Sequence, residues 1–281
     1  MHPGWSARRE GTHVRAIRCV AVNVFRESVR DKVLYNLVVF AVLLISASYL
    51  IGQLTAGQDV KIIKDLGLAA ISLFGVAIAV FIGIGLVWKE VDKRSIYSIL
   101  AKPIRRSEFV LGKYCGLVLT LLVNVAVMTL AFYAVLAYMN WRTDPLVREA
   151  WTVPAVDVRM LPAIGLIALE LALVTALALL FSTFSSPFLS AALTLGLWII
   201  GQFATDLRSL DQVLPSRTAG WFARALYYVL PNFAVFDVKA QVVYGRAVDI
   251  RYLGLTTAYG LTYLTLILFA AVVIFSRRDF K

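Results

Sequence analysis

The sequence predicts an all-α integral membrane protein: six transmembrane helices, an N-terminal interfacial helix, a short cytoplasmic helix between spans two and three, and an amphipathic outer segment before span six. Three observations predict it. Of 281 residues, 60% are hydrophobic and only 16% charged, with mean hydropathy +0.79, against about 45–50% and about 25% in soluble domains. Six stretches reach or approach the roughly 20 apolar residues needed to cross about 30 Å of hydrocarbon. The lysines and arginines gather in alternate connecting segments.

Before the first span, Val14, Ile17, Val20, Ala21, Val24 and Phe25 share one helical face, and Arg15, Arg18, Arg26 and Arg30 project from the other. Residues 14–31 therefore read as an interfacial helix on the inner leaflet. A soluble helix packed on a cytoplasmic partner has the same amphipathicity, so that alternative stays open. No small-residue cleavage pattern follows the first apolar run, and the N-terminal segment is expected to be retained.

The spans are placed at Val33 to Leu54, Leu66 to Trp88, Tyr114 to Met139, Leu161 to Phe184, Phe188 to Thr205, and Thr256 to Phe275. With a cytoplasmic N-terminus, seven lysines and arginines precede Val33, seven lie between Lys89 and Lys113, and three close the tail; these make 17 of the 28. Positive charge on the inner side sets the orientation: both termini cytoplasmic. The net charge of +11 then suits anionic lipid headgroups. Nucleic-acid binding would need a basic soluble domain, which this chain does not contain.

Trp141 and Trp151 sit near span ends, where the headgroup zone favours tryptophan. Ser182 to Pro187 is a tight uncharged turn that makes spans four and five antiparallel neighbours. In the outer segment, residues 206–252, Trp221, Phe222, Ala225, Leu226, Val229 and Leu230 recur at helical spacing until Pro231, so this part lies on the outer surface or dips into it. Gly75, Gly83 and Gly85 in span two, and Gly196 and Gly201 in span five, permit close helix approach. Cys19 and Cys115 fall on the reducing side and are expected as free thiols. His2 and His13 have no ligand set around them, so no metal site is expected. Residues 1–281 read as one membrane domain.

The most informative stretch is EVDKRSIYSILAKPIRRSEFVLGKYCG, from Glu90 to Gly116. Ile96, Ile99 and Leu100 fall at i, i+3 and i+4, so a helix over residues 92–101 would carry a small apolar face among charges. Pro103 ends it, because the residue before a proline disfavours helical geometry. Ser107 can cap the next helix, with Glu108 in its first turn. A stiff knob of this kind suits docking to a cytoplasmic partner; a loop lying apolar side down on the membrane is the alternative.

Glu90, with Lys93, Arg94, Ser95, Leu100, Lys102, Pro103, Arg106 and Leu111-Gly112-Lys113, resembles the signature of ABC-2 type permeases, the membrane subunits of ATP-binding-cassette exporters. The likeness extends to an elbow helix, six spans, a serine-rich turn and an Arg-rich tail. Ser95 stands where threonine is usual. The resemblance implies a coupling helix at residues 92–101 that docks on a separate ATPase through Asp92, Lys93, Arg94, Ile96, Tyr97, Ile99 and Leu100. It implies a dimer of permeases, with spans one and five at the seam, over two ATPase copies. Glu90 would pair with basic residues near the elbow, Arg26 and Arg30, while Pro103, Arg106, Gly112 and Lys113 shape the turn into span three.

The chain carries no energy source of its own. Gly112-Lys113 lacks the upstream glycine and following Ser/Thr of a P-loop, so ATP and Mg would reside on the partner. No cofactor is expected on this chain. An intramembrane enzyme would need clustered His, Asp or Glu, whereas the spans hold no histidine and one clear carboxylate, Glu170. An ionisable group there costs about 2.5–3.5 kcal/mol to insert. Glu170 should face the bundle interior, with Asn124 and Thr129 as candidate partners. Either Glu170 and Asn124 line a substrate path, or Glu170 makes a satisfied interhelical hydrogen bond.

The expected function is an exporter permease, homodimeric, in the plasma membrane of a bacterium. The alternatives are a non-transporting scaffold or maturation accessory protein using the same docking helix, and an intramembrane enzyme. No residue pattern identifies a substrate.

Overall fold

The computed structural model describes residues 4–53, 59–92, 106–149, 151–204 and 231–277, with side chains omitted at the N-terminus and at 86–92 and 106. Among them the regular structure is all helical, with no strand. Helix α1 (Gly4–Val29) precedes α2 (Lys32–Gln53), α3 (Asp59–Asp92) and α4 (Arg106–Arg142). A short α5 (Pro145–Glu149) and a 3-10 turn (Val158–Met160) lead to α6 (Leu161–Ser182) and α7 (Pro187–Gln202). A second 3-10 turn (Phe233–Phe236), α8 (Lys239–Val243) and α9 (Ile250–Arg277) complete the order.

Five of these helices are long and apolar enough to cross a membrane: α2, α3, α4, α6 and α9. The span expected at Phe188 to Thr205 is α7, an apolar helix of 16 residues. At 1.5 Å per residue it falls short of the hydrocarbon thickness. The helix ends at Gln202, with Phe203 as its C-cap, whose N–H makes a last bond to the Ile199 carbonyl at 3.3 Å.

Helix α6 is the centre. It is apolar on every side, and the whole run from Glu170 to Leu179 is buried, as expected of a helix surrounded by others. Helices α3, α4, α7 and α9 pack around it, and α2 packs on α3. Close approach of α3 to α6 depends on small residues: a Cβ built at Gly83 would lie 2.5 Å from that of Ala178, and one at Gly75 would strike Leu171. Outer positions stay apolar and exposed, as at Phe40, Leu50, Leu255 and Phe269, which is how a helix presents itself to lipid.

Local chemistry explains the turns. Asp31 Oδ1 accepts from the Val33 N–H at 3.0 Å and starts α2. Between α6 and α7 the Ser185 and Ser190 hydroxyls meet at 2.6 Å, and Pro187 opens α7 from extended Ser186. This is the tight reversal the uncharged turn predicts. One detail differs from expectation: α4 already includes Arg106, so Ser107 lies within the helix and does not cap it, although Glu108 does occupy the first turn.

Candidate functional site

The docking segment itself, with Lys93, Arg94, Ile96, Tyr97, Ile99, Leu100 and Pro103, lies outside the described residues, as do the side chains of Glu90, Asp92 and Arg106. The expected pairing of Glu90 with Arg26 or Arg30 therefore falls outside them too. What is described is the frame around the segment. Helix α3 continues as one helix to Asp92, and α4 is helical from Arg106. Each flank of residues 93–105 is thus the end of a long helix.

The base of α4 is clasped by α1. Ile17, Val20, Ala21, Val24 and Phe25 turn inward to varying depth, while Arg15, Arg18, Arg26 and Arg30 are exposed, which matches the amphipathic pattern. The approach is set by two glycines one turn apart. A Cβ at Gly112 would sit 2.8 Å from Val20 Cβ and 2.9 Å from the Ile17 carbonyl oxygen; at Gly116 it would sit 2.6 Å from the Ala21 oxygen and 2.7 Å from Val24 Cβ. Real Cβ atoms do not come that close, so the two helices touch backbone to backbone. Lys113, between them, is buried, with its ammonium 5.5 Å from the Phe109 ring centre, a cation–π distance. The resemblance gives Gly112 and Lys113 a place at the entry to span three and does not foresee this seam with α1; the small-xxx-small spacing of Gly112 and Gly116 is its signal in the sequence.

Glu170 is the second site. Its side chain is 2% exposed, and Oε1 accepts two hydrogen bonds, from Trp198 Nε1 at 2.8 Å and Gln202 Nε2 at 2.6 Å. Both donors are on α7, one turn apart, so a single carboxylate oxygen clamps α6 to α7. The partners expected on span three are corrected: Asn124 folds back on its own helix, Nδ2 donating to the Thr120 carbonyl at 2.7 Å, and the buried Thr129 hydroxyl has no partner among the described residues. Sequence reasoning chose amide and hydroxyl residues within a neighbouring span; it could not say that α7, and not α4, supplies them.

Residues 231–243 close over this clamp. Phe233 and Phe236 are fully buried, Phe233 lying against Gly201 of α7. The Asn232 N–H donates to the Tyr259 hydroxyl at 2.8 Å, and the Tyr252 hydroxyl donates to the Val235 carbonyl at 2.6 Å. Residues 231–243 thus dip into the helix bundle; the helical pattern at Trp221 to Leu230, for which a surface-lying or dipping helix is expected, lies outside the described residues. The Lys239–Asp237 ion pair, at 3.5 Å, is near enough for both charges to act on Glu170.

A third cluster escaped the sequence reading. Lys64 falls just outside the apolar run that defined span two, yet it lies within α3, which begins five residues before it at Asp59, and is fully buried. Its Nζ donates to the Pro154 carbonyl at 2.8 Å, and Asp157, itself buried, acts on it electrostatically. Asp157 Oδ1 caps the 3-10 turn through the Arg159 N–H at 2.9 Å, and its carbonyl accepts from the Tyr133 hydroxyl at 2.9 Å. The loop from Trp151 to Met160 is thereby tied to α3 and α4. Lys64→Met should lower unfolding free energy by about 1.5–3 kcal/mol, the worth of a charged hydrogen bond. Thermal unfolding in detergent, with protease cleavage of the loop as second readout, checks this; an unchanged melting point would mean that the tie carries no load.

Cys19 and Cys115 are free and exposed. Among the described residues no three metal-ligating side chains come together.

Comparison with known proteins agrees with the geometry. The sequence model of a family described as ABC-2 family transporter protein matches residues 19–280. No curated protein matches the chain.

Proposed function

Because the chain belongs to the ABC-2 family of transporter proteins, we propose that it is the permease subunit of an ATP-driven exporter, coupled to a separate ABC ATPase through residues 92–101. The family implies partnership with an ABC ATPase; the docking residues, the two ATPase copies and the pairing of two identical permeases are this proposal's own content. So are a membrane-crossing role for α7, the fifth of the six expected spans, the cytoplasmic placement of both termini, and a bacterial plasma membrane.

The observation that carries the reading is the frame of the docking segment. A force applied between the ends of α3 and α4 is delivered directly to two long membrane helices, since each is a continuous rod through the bundle. The α1 clasp at Gly112 and Gly116 braces one of those rods. ATP and Mg would be held by the partner, and closure of the ATPase dimer would reach the spans as a change in the angle between α3 and α4. The substrate would pass between the two permease copies.

Ile99→Asp tests the docking. A charge on the small apolar face should release the ATPase, with at least a tenfold loss of co-purified subunit, since desolvating an unpaired carboxylate opposes binding. Membrane insertion should be unchanged. The measurement is a mild-detergent pull-down with quantification of the co-eluting ATPase and its vanadate-sensitive turnover. Normal recovery with the variant would remove the docking claim, and a pull-down of the unaltered chain that brings down no ATPase would favour a scaffold.

A further inference from the structure

A cleft of about 170 Å³ opens where α1 turns into α2, beside the end of α3. Val33, Leu34, Phe81, Ile82 and Gly85 make its apolar wall, and Ser28 and Asp31 its polar end. Val33 and Phe81 are 50% and 58% exposed, so the wall continues onto the lipid-facing surface. The polar end is different in kind. Ser28 is 3% exposed, and its hydroxyl has no hydrogen-bond partner among the described residues. Leaving a buried hydroxyl unpaired is unfavourable, and a group in this state is one a ligand can satisfy.

The cleft is also deeper than side-chain packing would leave it. At Gly85 a Cβ would meet nothing within 4 Å among the described residues, unlike Gly75 and Gly83 on the same helix, which receive Leu171 and Ala178. The absent side chain is therefore part of the hollow. Next in sequence to the lining residues, Arg30 and Lys32 are exposed, as is Glu27. Asp31 lines the cleft as well, with Oδ1 engaged in capping the Val33 N–H. An apolar slot with a buried hydroxyl at one end, opening to lipid under a cationic rim, matches a molecule with an acyl chain, oxygen acceptors at its head and a negative charge.

We propose that this cleft binds one anionic phospholipid, its acyl chain along Phe81, Ile82 and Gly85, a head or ester oxygen accepting from the Ser28 hydroxyl, and its phosphate facing Arg30 and Lys32. Naming the leaflet as cytoplasmic rests on the orientation proposed above; the cleft does not depend on the ATPase reading. Bound there, the lipid joins α1, α2 and α3 at the root of the docking segment and stabilises the folded chain by mass action.

The test uses the purified full-length protein in detergent, examined by native mass spectrometry and thermal unfolding with added phosphatidylglycerol, phosphatidylcholine or inorganic phosphate. Phosphatidylglycerol should be retained about fivefold better than phosphatidylcholine, the preference expected from one engaged cation, and should raise the melting temperature where inorganic phosphate does not. Gly85→Val fills the slot and should cut retention about fivefold or more; Ser28→Ala removes the donor with no gain in volume and should cut it at least about twofold. Retention of phosphatidylglycerol by Ser28→Ala and by any folded Gly85→Val at the level of the unaltered chain would overturn the proposal. So would equal retention of phosphatidylcholine, or equal stabilisation by inorganic phosphate, which would show an anion held at the rim and no lipid in the cleft.

Discussion

Glu170→Leu is expected to lower the stability of the bundle sharply, while Glu170→Gln leaves it near that of the unaltered protein. The hydrogen bonds themselves are modest, since interhelical bonds in membrane proteins average about 0.6 kcal/mol. The larger effect comes from what leucine strands. Trp198 Nε1 and Gln202 Nε2, on half-buried side chains, both donate to Glu170 Oε1, and a donor deprived of its acceptor costs up to about 1–3 kcal/mol when it is shut off from water. Glutamine keeps an oxygen in the same place and satisfies both. Thermal unfolding of the three proteins measures the structural part, and turnover of the complex measures the rest. Loss of turnover in Glu170→Gln at unchanged stability would mean that the carboxylate serves the substrate or a proton, and the clamp would then be secondary.

Gly116→Leu should dislodge α1 from α4. A first side-chain atom at this position already meets the Ala21 carbonyl oxygen at 2.6 Å, and backbone does not yield as a flexible side chain does. Overpacking of even a few methylenes costs about 1–3 kcal/mol, and each 1.4 kcal/mol is about tenfold in an opening equilibrium. Trypsin should therefore cleave at the exposed Arg18 and Arg26 roughly ten times faster or more, while α4 remains inserted. Gly254→Leu, on α9, is the contrasting control, because a Cβ there meets nothing within 4 Å among the described residues. Equal cleavage of Gly116→Leu and the unaltered chain would show that α1 is held by something other than this seam.

The two predictions differ in how far the sequence leads to them. The clasp was nearly legible: an amphipathic stretch with arginines on one side, and glycines at 112 and 116 one helical turn apart, are both local patterns. Only their mutual contact was not. Glu170 was legible as an anomaly, since a carboxylate in an apolar run must be satisfied, but its partners were misassigned to span three. Trp198 and Gln202 were counted as part of an ordinary span, and nothing in their own neighbourhood marks them as donors to a residue 28 and 32 positions away. Lys64 was invisible for a related reason: a lysine at the border of an apolar run looks solvated until a distant loop folds over it.

The sequence by itself determined the helical, membrane-spanning class, the approximate limits of five of the spans, the two faces of α1 and the turn at Ser182 to Pro187. Each of these follows from composition or from periodicity within a few turns of helix, and lipid leaves the backbone little choice beyond satisfying its own hydrogen bonds. The tertiary structure alone decided that α6 is the central helix, that α7 supplies the donors for Glu170, that the loop at Pro154 covers Lys64, and that Gly85 faces a hollow while Gly83 faces Ala178. Those outcomes depend on which helix faces are brought together. Several apolar faces of similar composition compete for each contact, and in lipid only close packing and a few polar partners distinguish between them.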